Sequence, residues 1–347
     1  MTSPTSVART EALVAAIALL CAAAAGSVLM IIAGASPLAV WAAVIGRVTP
    51  DPYAWGQILF NATPLVFSGL SFTIALRAGL FNIGAEGQIA AGCLAAGALG
   101  AALPAPTPAV IAIPACLIAA ALAGGAIGAI TGALRAYRGA HEVIVAILLN
   151  AVVIGVALWI GNAFLFVKPT TMGPPIAPGA ELPALGIAGS SANVASIVAL
   201  ATVAACAWLF ARTRVGATWR WVGLGPRAAA AAGISVARTY VIAMAASGAV
   251  AGLAAANYVQ GWRHAYQDDL GRNTGFLGIA VGLLGGGEPF GVLAAALLLG
   301  FLQHAGLVVS DLVPKELFDA LEAVIIVAVA ATSPIVRRFL VLRGRLS

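Results

Sequence analysis

One carboxylate and two amides, Glu86, Asn82 and Gln88, stand among glycines in the stretch GLFNIGAEGQIAAG at 79–92. Polar groups in such apolar surroundings have two uses. They can line a wet path for a polar solute, where glycines interrupt a helix and free backbone groups face water. They can also lock a broken helix to its neighbours, since a polar group left unpaired in lipid costs several kcal/mol. Gly79, Gly84, Gly87 and Gly92 further permit close helix approach. Both readings stay open for all three side chains. Asn61, Asn150 and Asn257 also fall inside apolar runs. They could hydrogen-bond a solute, although bonding between helices is the commoner fate of such asparagines. In the C-terminal half, Gly285-Gly286-Gly287 followed by Glu288 echoes Gly84-Ala85-Glu86. Glycine-broken segments in both halves point to a central site between two related halves, and a loop position for Glu288 is the alternative.

The remaining chemistry is sparse. The only lysines are Lys168 and Lys315, and neither lies in a Gly-Lys-Ser/Thr sequence, so a phosphate-cradling Walker loop is excluded. Ion-coupled transport would need ionisable groups at depth, for which Glu86, Glu322 and His304 are the candidates. No catalytic or metal-ligating cluster emerges from the spacing. Cys21, Cys93, Cys116 and Cys206 lie in expected helices without disulfide or metal spacing and read as small apolar filler.

The elements that must position these groups follow from composition. Of 347 residues, 62% are hydrophobic and 9% charged, and the mean hydropathy is +1.03. Such numbers exclude a soluble domain. Long runs rich in alanine and leucine, without strict alternation, give an all-α integral membrane protein with about ten transmembrane helices. They are expected at 12–33, 57–76, 81–103, 109–134, 143–161, 193–211, 240–259, 275–286, 290–309 and 320–335, the third and eighth broken by glycine. Strands are not expected. The first run after Arg9 is too long for a signal-peptide core and reads as an uncleaved helix.

Arginines set the orientation. With the N-terminus in the cytoplasm, Arg9, Arg77, Arg135, Arg138, Arg212, Arg214, Arg220, Arg227, Arg238, Arg337, Arg338, Arg343 and Arg345 all lie inside. Arg47, Lys168, Arg263, Arg272 and Lys315 remain outside, so both termini are expected to be cytoplasmic. This topology also accounts for the net charge of +6 better than nucleic-acid binding, because the basic residues are scattered and not interleaved with aromatics. Tryptophans near helix ends, Trp219 and Trp221 among them, fit interfacial belts. An external loop spans about 162–192, and its prolines forbid regular helix. A cytoplasmic segment spans about 219–240. Within it Pro226 suits a helix start, the alanines that follow favour helix, and Gly233 suits its end, which gives a short, blunt helix outside the membrane. From the residues alone this is a partner-fitting surface or a simple connecting turn.

Five segments carry a resemblance: GLFNIGAEGQ, AHEVIVAILLN, GLGPRAAAAAGISV, SGAVAGLA and GFLGIAVGLLGGGEPFGVLAAAL, in that order. They resemble the landmarks of permease subunits of bacterial ABC importers, in the branched-chain amino acid and ribose permease superfamily. The nucleoside branch, associated with basic membrane lipoproteins, is the most similar. The resemblance implies a single transmembrane permease domain over 1–347 in the bacterial inner membrane. It implies a non-enzymatic channel for nucleosides or purines, surrounded by lipid. The implied partners are a cytoplasmic ABC ATPase, a second related permease and an extracytoplasmic substrate-binding lipoprotein. ATP and magnesium would belong to the ATPase, with no cofactor in this chain. The implied coupling helix runs from Gly225 and Pro226 through Arg227 and Ala230 to Gly233. Gly225 stands where the family commonly has asparagine, which weakens the N-cap. A simple sugar or branched-chain amino acid permease, or an ion-driven secondary carrier, are the alternatives.

Overall fold

The computed structural model describes residues 24, 26–32, 34–314, 316–321, 323 and 324. Most of the expected first and last spans lies outside the described residues, as do Arg9, Cys21, Lys315, Glu322 and the arginines from Arg337 onward. The chain divides into two compact units, Met1–Asn61 with Leu297–Ser347, and Ala62–Ala296.

The first unit holds α1 (Gly26–Ile32), α2 (Pro37–Val48), the start of α3 (Pro52–Arg77) and the end of α12 (Pro289–Val308). Helix α2 was not expected. It begins at Pro37, behind an N-cap serine, Ser36, and buries Val40, Val44 and Val48 along one stripe. From its last turn, Arg47 donates to both carboxylate oxygens of Asp311, at 2.7 and 3.0 Å, and to the Val308 carbonyl at 2.9 Å. Trp41 packs edge-on against Phe318.

The second unit is built around α4 (Ala85–Ala102), which is packed by α5 (Ala109–Arg138), α6 (Glu142–Ile160), α10 (Val236–Gly252) and α11 (Thr274–Leu284). The glycines of the third expected helix do not break it. Gly92 lies directly on the backbone of Gly252 and Gly97 on that of Tyr266, so α4 is continuous from Ala85 and the interruption falls before it. The eighth expected helix is likewise continuous as α11, and its glycines form the turn that follows. Helices α5 and α10 touch through backbone: a Cβ on Gly124 would strike the Gly248 carbonyl, and one on Gly128 the Met244 carbonyl. We expect Gly124→Val to separate the pair and cost about 1–3 kcal/mol or more. Thermal unfolding of the purified protein in detergent checks this, with Gly155→Ala, which has open space around its Cβ, as the control that unfolds no earlier than the wild type.

Helix α7 (Ala195–Arg212) leads through the Thr213 cap, whose hydroxyl accepts from Gly216 N at 3.1 Å, into α8 (Arg214–Leu224) and then α9 (Pro226–Ala231). Trp219 is buried on the inner face of α8 and so does not belong to a lipid-facing belt. The proline-rich loop contains no α-helix. It does contain a strand, β1 (Met172–Pro175), antiparallel to β2 (Ala265–Gln267), which corrects the purely helical expectation. The two prolines of β1 are compatible with its edge position. The connections run through π-helical turns at Gly161–Leu165 and Ala256–Arg263.

Among the described residues, six helices are long and apolar enough to cross a membrane: Pro52–Arg77, Ala109–Arg138, Glu142–Leu165, Ala195–Arg212, Val236–Arg263 and Pro289–Val308. Cys93, Cys116 and Cys206 are buried and unpaired, as apolar filler would be.

Candidate functional site

Helix α3 ends in a left-handed glycine, Gly79 (φ 75°). Its N–H donates to the Leu76 carbonyl and that of Leu80 to Ala75, which closes the helix and aims the chain back into the protein. The following turn delivers Asn82, fully buried, to a cluster of polar groups. Its amide nitrogen lies 2.7 Å from Ser247 Oγ, 2.8 Å from Gln88 Oε1 and 3.0 Å from Ser71 Oγ. Its oxygen accepts from Gly84 N at 2.9 Å and Gln88 Nε2 at 3.2 Å. The Ser247 hydroxyl in turn donates to the Ser71 carbonyl at 2.7 Å. The Asn82 and Gln88 amides therefore pair reciprocally, and the cluster spans α3, α4 and α10. Low polarity strengthens each such bond and makes any vacancy costly.

Glu86 sits in the first turn of α4 and reaches a second helix. Its carboxylate accepts from Asn273 N at 2.6 Å and Gly275 N at 2.8 Å, at the start of α11. Asn273 itself is left-handed (φ 68°), which turns its N–H toward the carboxylate. The first backbone amides of a helix have no partner within it, and an anion is favoured there. Asn150 of α6 closes the arrangement from the other side. Its oxygen accepts from Gly87 N at 2.9 Å and its nitrogen donates to the Ile83 carbonyl at 2.9 Å, so one side chain satisfies an orphan amide of α4 and the turn before it.

The structure brings together Asn82, Glu86, Gln88 and Asn150. It does not bring Asn257 or Glu288 to them. Asn257 is buried in the π-helical turn, where its oxygen accepts from Asn193 Nδ2 at 3.1 Å. Asn61 is half-buried in α3, in the other unit. Glu288 stands at the surface, bonded at 2.5 Å to Arg77. Ser71, Ser247 and Asn273 take part without having been singled out. Ser247 alone lay in a segment with a recognisable pattern. Glu142, at the start of α6, is ion-paired with Arg135 at 3.3 Å.

A cavity of about 70 Å³ borders Glu86, lined also by Cys93, Tyr266, Asp268, Asp269 and Arg272. Drug-sized ligands occupy roughly 300–1,000 Å³, so this space suits water and not a nucleoside. Burial holds the Tyr266 phenol well above its usual range.

At the outer end of α8, Gly225 takes an extended conformation and α9 follows as a six-residue helix starting at Pro226. Gly233 (φ 82°) ends it, with Gly233 N donating to the Ala230 carbonyl and Ile234 N to Ala229, both at 3.0 Å. Arg227 and Ala230 are exposed and Ala229 is buried beneath them. Gly225, as N-cap, offers no side-chain bond. The blunt helix expected from the sequence is present.

Apolar spans wrapped around a helix whose polar groups are satisfied by its neighbours define a multi-pass membrane protein. Residues 55–330 match the family described as the permease component of branched-chain amino acid transport systems, and the chain belongs to that family. It is 36% identical to the guanosine ABC transporter permease protein NupP of Bacillus subtilis, over 92% of this chain and 93% of the relative. It is 31% identical to the nucleoside ABC transporter permease protein NupB of Lactococcus lactis, over 88% of this chain and 86% of the relative. The glucose ABC transporter permease protein TsgB13 of Haloferax volcanii is 29% identical over 88% and 84%. No solved structure matches the chain.

Proposed function

We propose that this chain is the channel-forming permease subunit of an ATP-binding-cassette importer, that its cargo is a nucleoside or purine, and that it catalyses no reaction itself. The observation that carries this reading is the nearly end-to-end likeness to relatives named for guanosine and nucleosides. The exposed α9 supports it, as a foot of the right shape for a groove in a cytoplasmic ATPase. A second related permease and an extracytoplasmic lipoprotein complete the assembly, and ATP and magnesium reside on the ATPase.

In this reading the six apolar spans are joined by the α1–α2 pair, by α4 and α11 sheltered among neighbours, and by the span expected at 320–335, most of which lies outside the described residues. Together they make about ten crossings in two related halves, in a bacterial inner membrane with both termini cytoplasmic. The arginine bias supports that orientation. Asn82, Gln88, Glu86 and Asn150 hold the α3–α4 turn, α4 and α11 together. The path for cargo then runs beside this locked core, since the cavity that borders Glu86 is too small for a nucleoside. A simple sugar is the second reading, favoured by the relative named for glucose.

The chain reconstituted in vesicles with its ATPase, second permease and binding lipoprotein tests this. We expect uptake of labelled guanosine that requires ATP and is not displaced by excess glucose. Concentration of guanosine by the chain alone, driven by a proton or sodium gradient, would establish a secondary carrier instead.

A further inference from the structure

The turn that carries Asn82 into the protein is also in direct backbone contact with the end of α8. A Cβ added to Gly223 would be driven into the Arg77 carbonyl oxygen and to 2.9 Å from Gly79 N, and one on Gly79 would lie 3.1 Å from Gly223 Cα. No side chain separates the two chains. Gly223 lies at the C-terminal end of α8, immediately before the Gly225 kink and α9. The turn is gripped on its other flank as well. The Arg77 guanidinium bonds Glu288 Oε1 at 2.5 Å and the Gly287 carbonyl at 3.4 Å, and lies 4.7 Å from the centre of the Phe210 ring at the end of α7. From Gly79 the chain runs through buried Leu80 to Asn82, whose bonds reach α4 and α10.

We propose that Gly223 and the Arg77–Gly79 turn form the joint through which displacement of α9 reaches Asn82 and so repositions α4 against α10. The proposal rests on α9 being the surface that meets the ATPase. The physical argument is one of slack. Side chains in contact can absorb a small shift by changing rotamer, whereas two backbones in van der Waals contact cannot, so movement of α8 must be passed on or resisted. Arg77 prevents the turn from swinging away, because it ties the same residues to the α11–α12 connection and to α7. What remains free to move is the segment toward Asn82. Gly79 and Gly223 are thus positioning residues for transport.

The complex with its ATPase, assayed in vesicles for guanosine uptake and ATP hydrolysis together, distinguishes this from a packing role. We expect Gly223→Ala to insert, bind the ATPase and hydrolyse ATP, while uptake per ATP hydrolysed falls about tenfold or more. Gly155→Ala, at a glycine with open surroundings, keeps the wild-type ratio. A Gly223→Ala complex with the wild-type ratio overturns the proposal. If that variant does not assemble, hydrogen exchange on the wild-type complex decides, with and without Mg-ATP and vanadate. Altered protection at both 226–233 and 78–84 supports the joint. A change confined to 226–233 overturns the joint and leaves α9 as the docking surface, and no change at 226–233 overturns both.

Discussion

Replacing Glu86 with glutamine should loosen α11 from α4, lowering stability and transport together. In the native protein both carboxylate oxygens are used, one on Asn273 N and one on Gly275 N. Glutamine keeps a single acceptor and sets an NH2 group opposite the other amide, donor against donor. The lost charge-assisted bond and the orphaned helix-end amide together cost about 2–3 kcal/mol. Aspartate retains the charge but is one methylene too short to span the same gap, so Glu86→Asp should also be destabilised. The measurement is thermal unfolding in detergent alongside the concentration dependence of uptake. A locking carboxylate predicts a lower midpoint and reduced maximal uptake with little change in the half-saturating concentration. A carboxylate that touches cargo predicts the reverse, with stability intact and half-saturation raised. The two roles open from sequence are separated by that pattern.

Much of this site was legible because membrane burial makes polar residues conspicuous. Asn82, Glu86, Gln88 and Asn150 are exceptional by type in their surroundings, and all four converge at the start of α4. Their partners were not legible for a matching reason. Ser71 and Ser247 are small and common in packed membrane helices, and nothing in either local sequence reveals that they lie 3.0 Å apart across two helices. The amides that meet Glu86 belong to backbone at Asn273 and Gly275, which no residue type announces. Glycine was the more misleading signal. Gly87 and Gly92 suggested a broken helix, yet α4 runs through them, because a glycine that faces another backbone serves approach and not interruption. The same ambiguity made Gly285–Gly287 look like a second polar centre, whereas that turn places Glu288 at the surface on Arg77.

Among the described residues, each expected run from 57–76 to 290–309 corresponds to a helix, although α3 starts at Pro52 instead of 57 and α10 ends at Gly252 instead of 259. The two that escaped were short. Helix α2 covers 12 residues and α8 covers 11, the latter with Arg220 between its buried positions Trp219 and Val222. A mixed stretch of that kind has the period of a helix but not the hydropathy of a span. The β1–β2 pair joins residues on either side of α7 to α10, and strand pairing at such separation leaves no local trace.

Replacing Ala230 with glutamate should abolish ATP-coupled uptake while leaving the membrane fold intact, the largest functional effect expected from a single exposed position. Ala230 is solvent-exposed on the outer face of α9, and glutamate is itself a good helix former, so the folded chain should change by no more than about 0.5 kcal/mol. In the proposed complex the ATPase groove would have no such tolerance. A run of alanines presents almost bare backbone, and a groove that accepts it closely would have to admit a longer side chain and bury its charge, at a cost of several kcal/mol. Arg227, exposed on the first turn, gives a graded comparison: Arg227→Ala removes a rim charge and should weaken assembly modestly and in a salt-dependent way. Ala229 gives the structural contrast, since it is buried beneath the helix and its enlargement should disturb α9 itself. Co-purification with the ATPase, uptake of labelled guanosine and thermal unfolding, measured on the same three variants, resolve the cases. Ala230→Glu should lose the first two and keep the third. Undiminished uptake in that variant would mean that the ATPase grips the chain elsewhere, and that α9 is only a turn between α8 and α10.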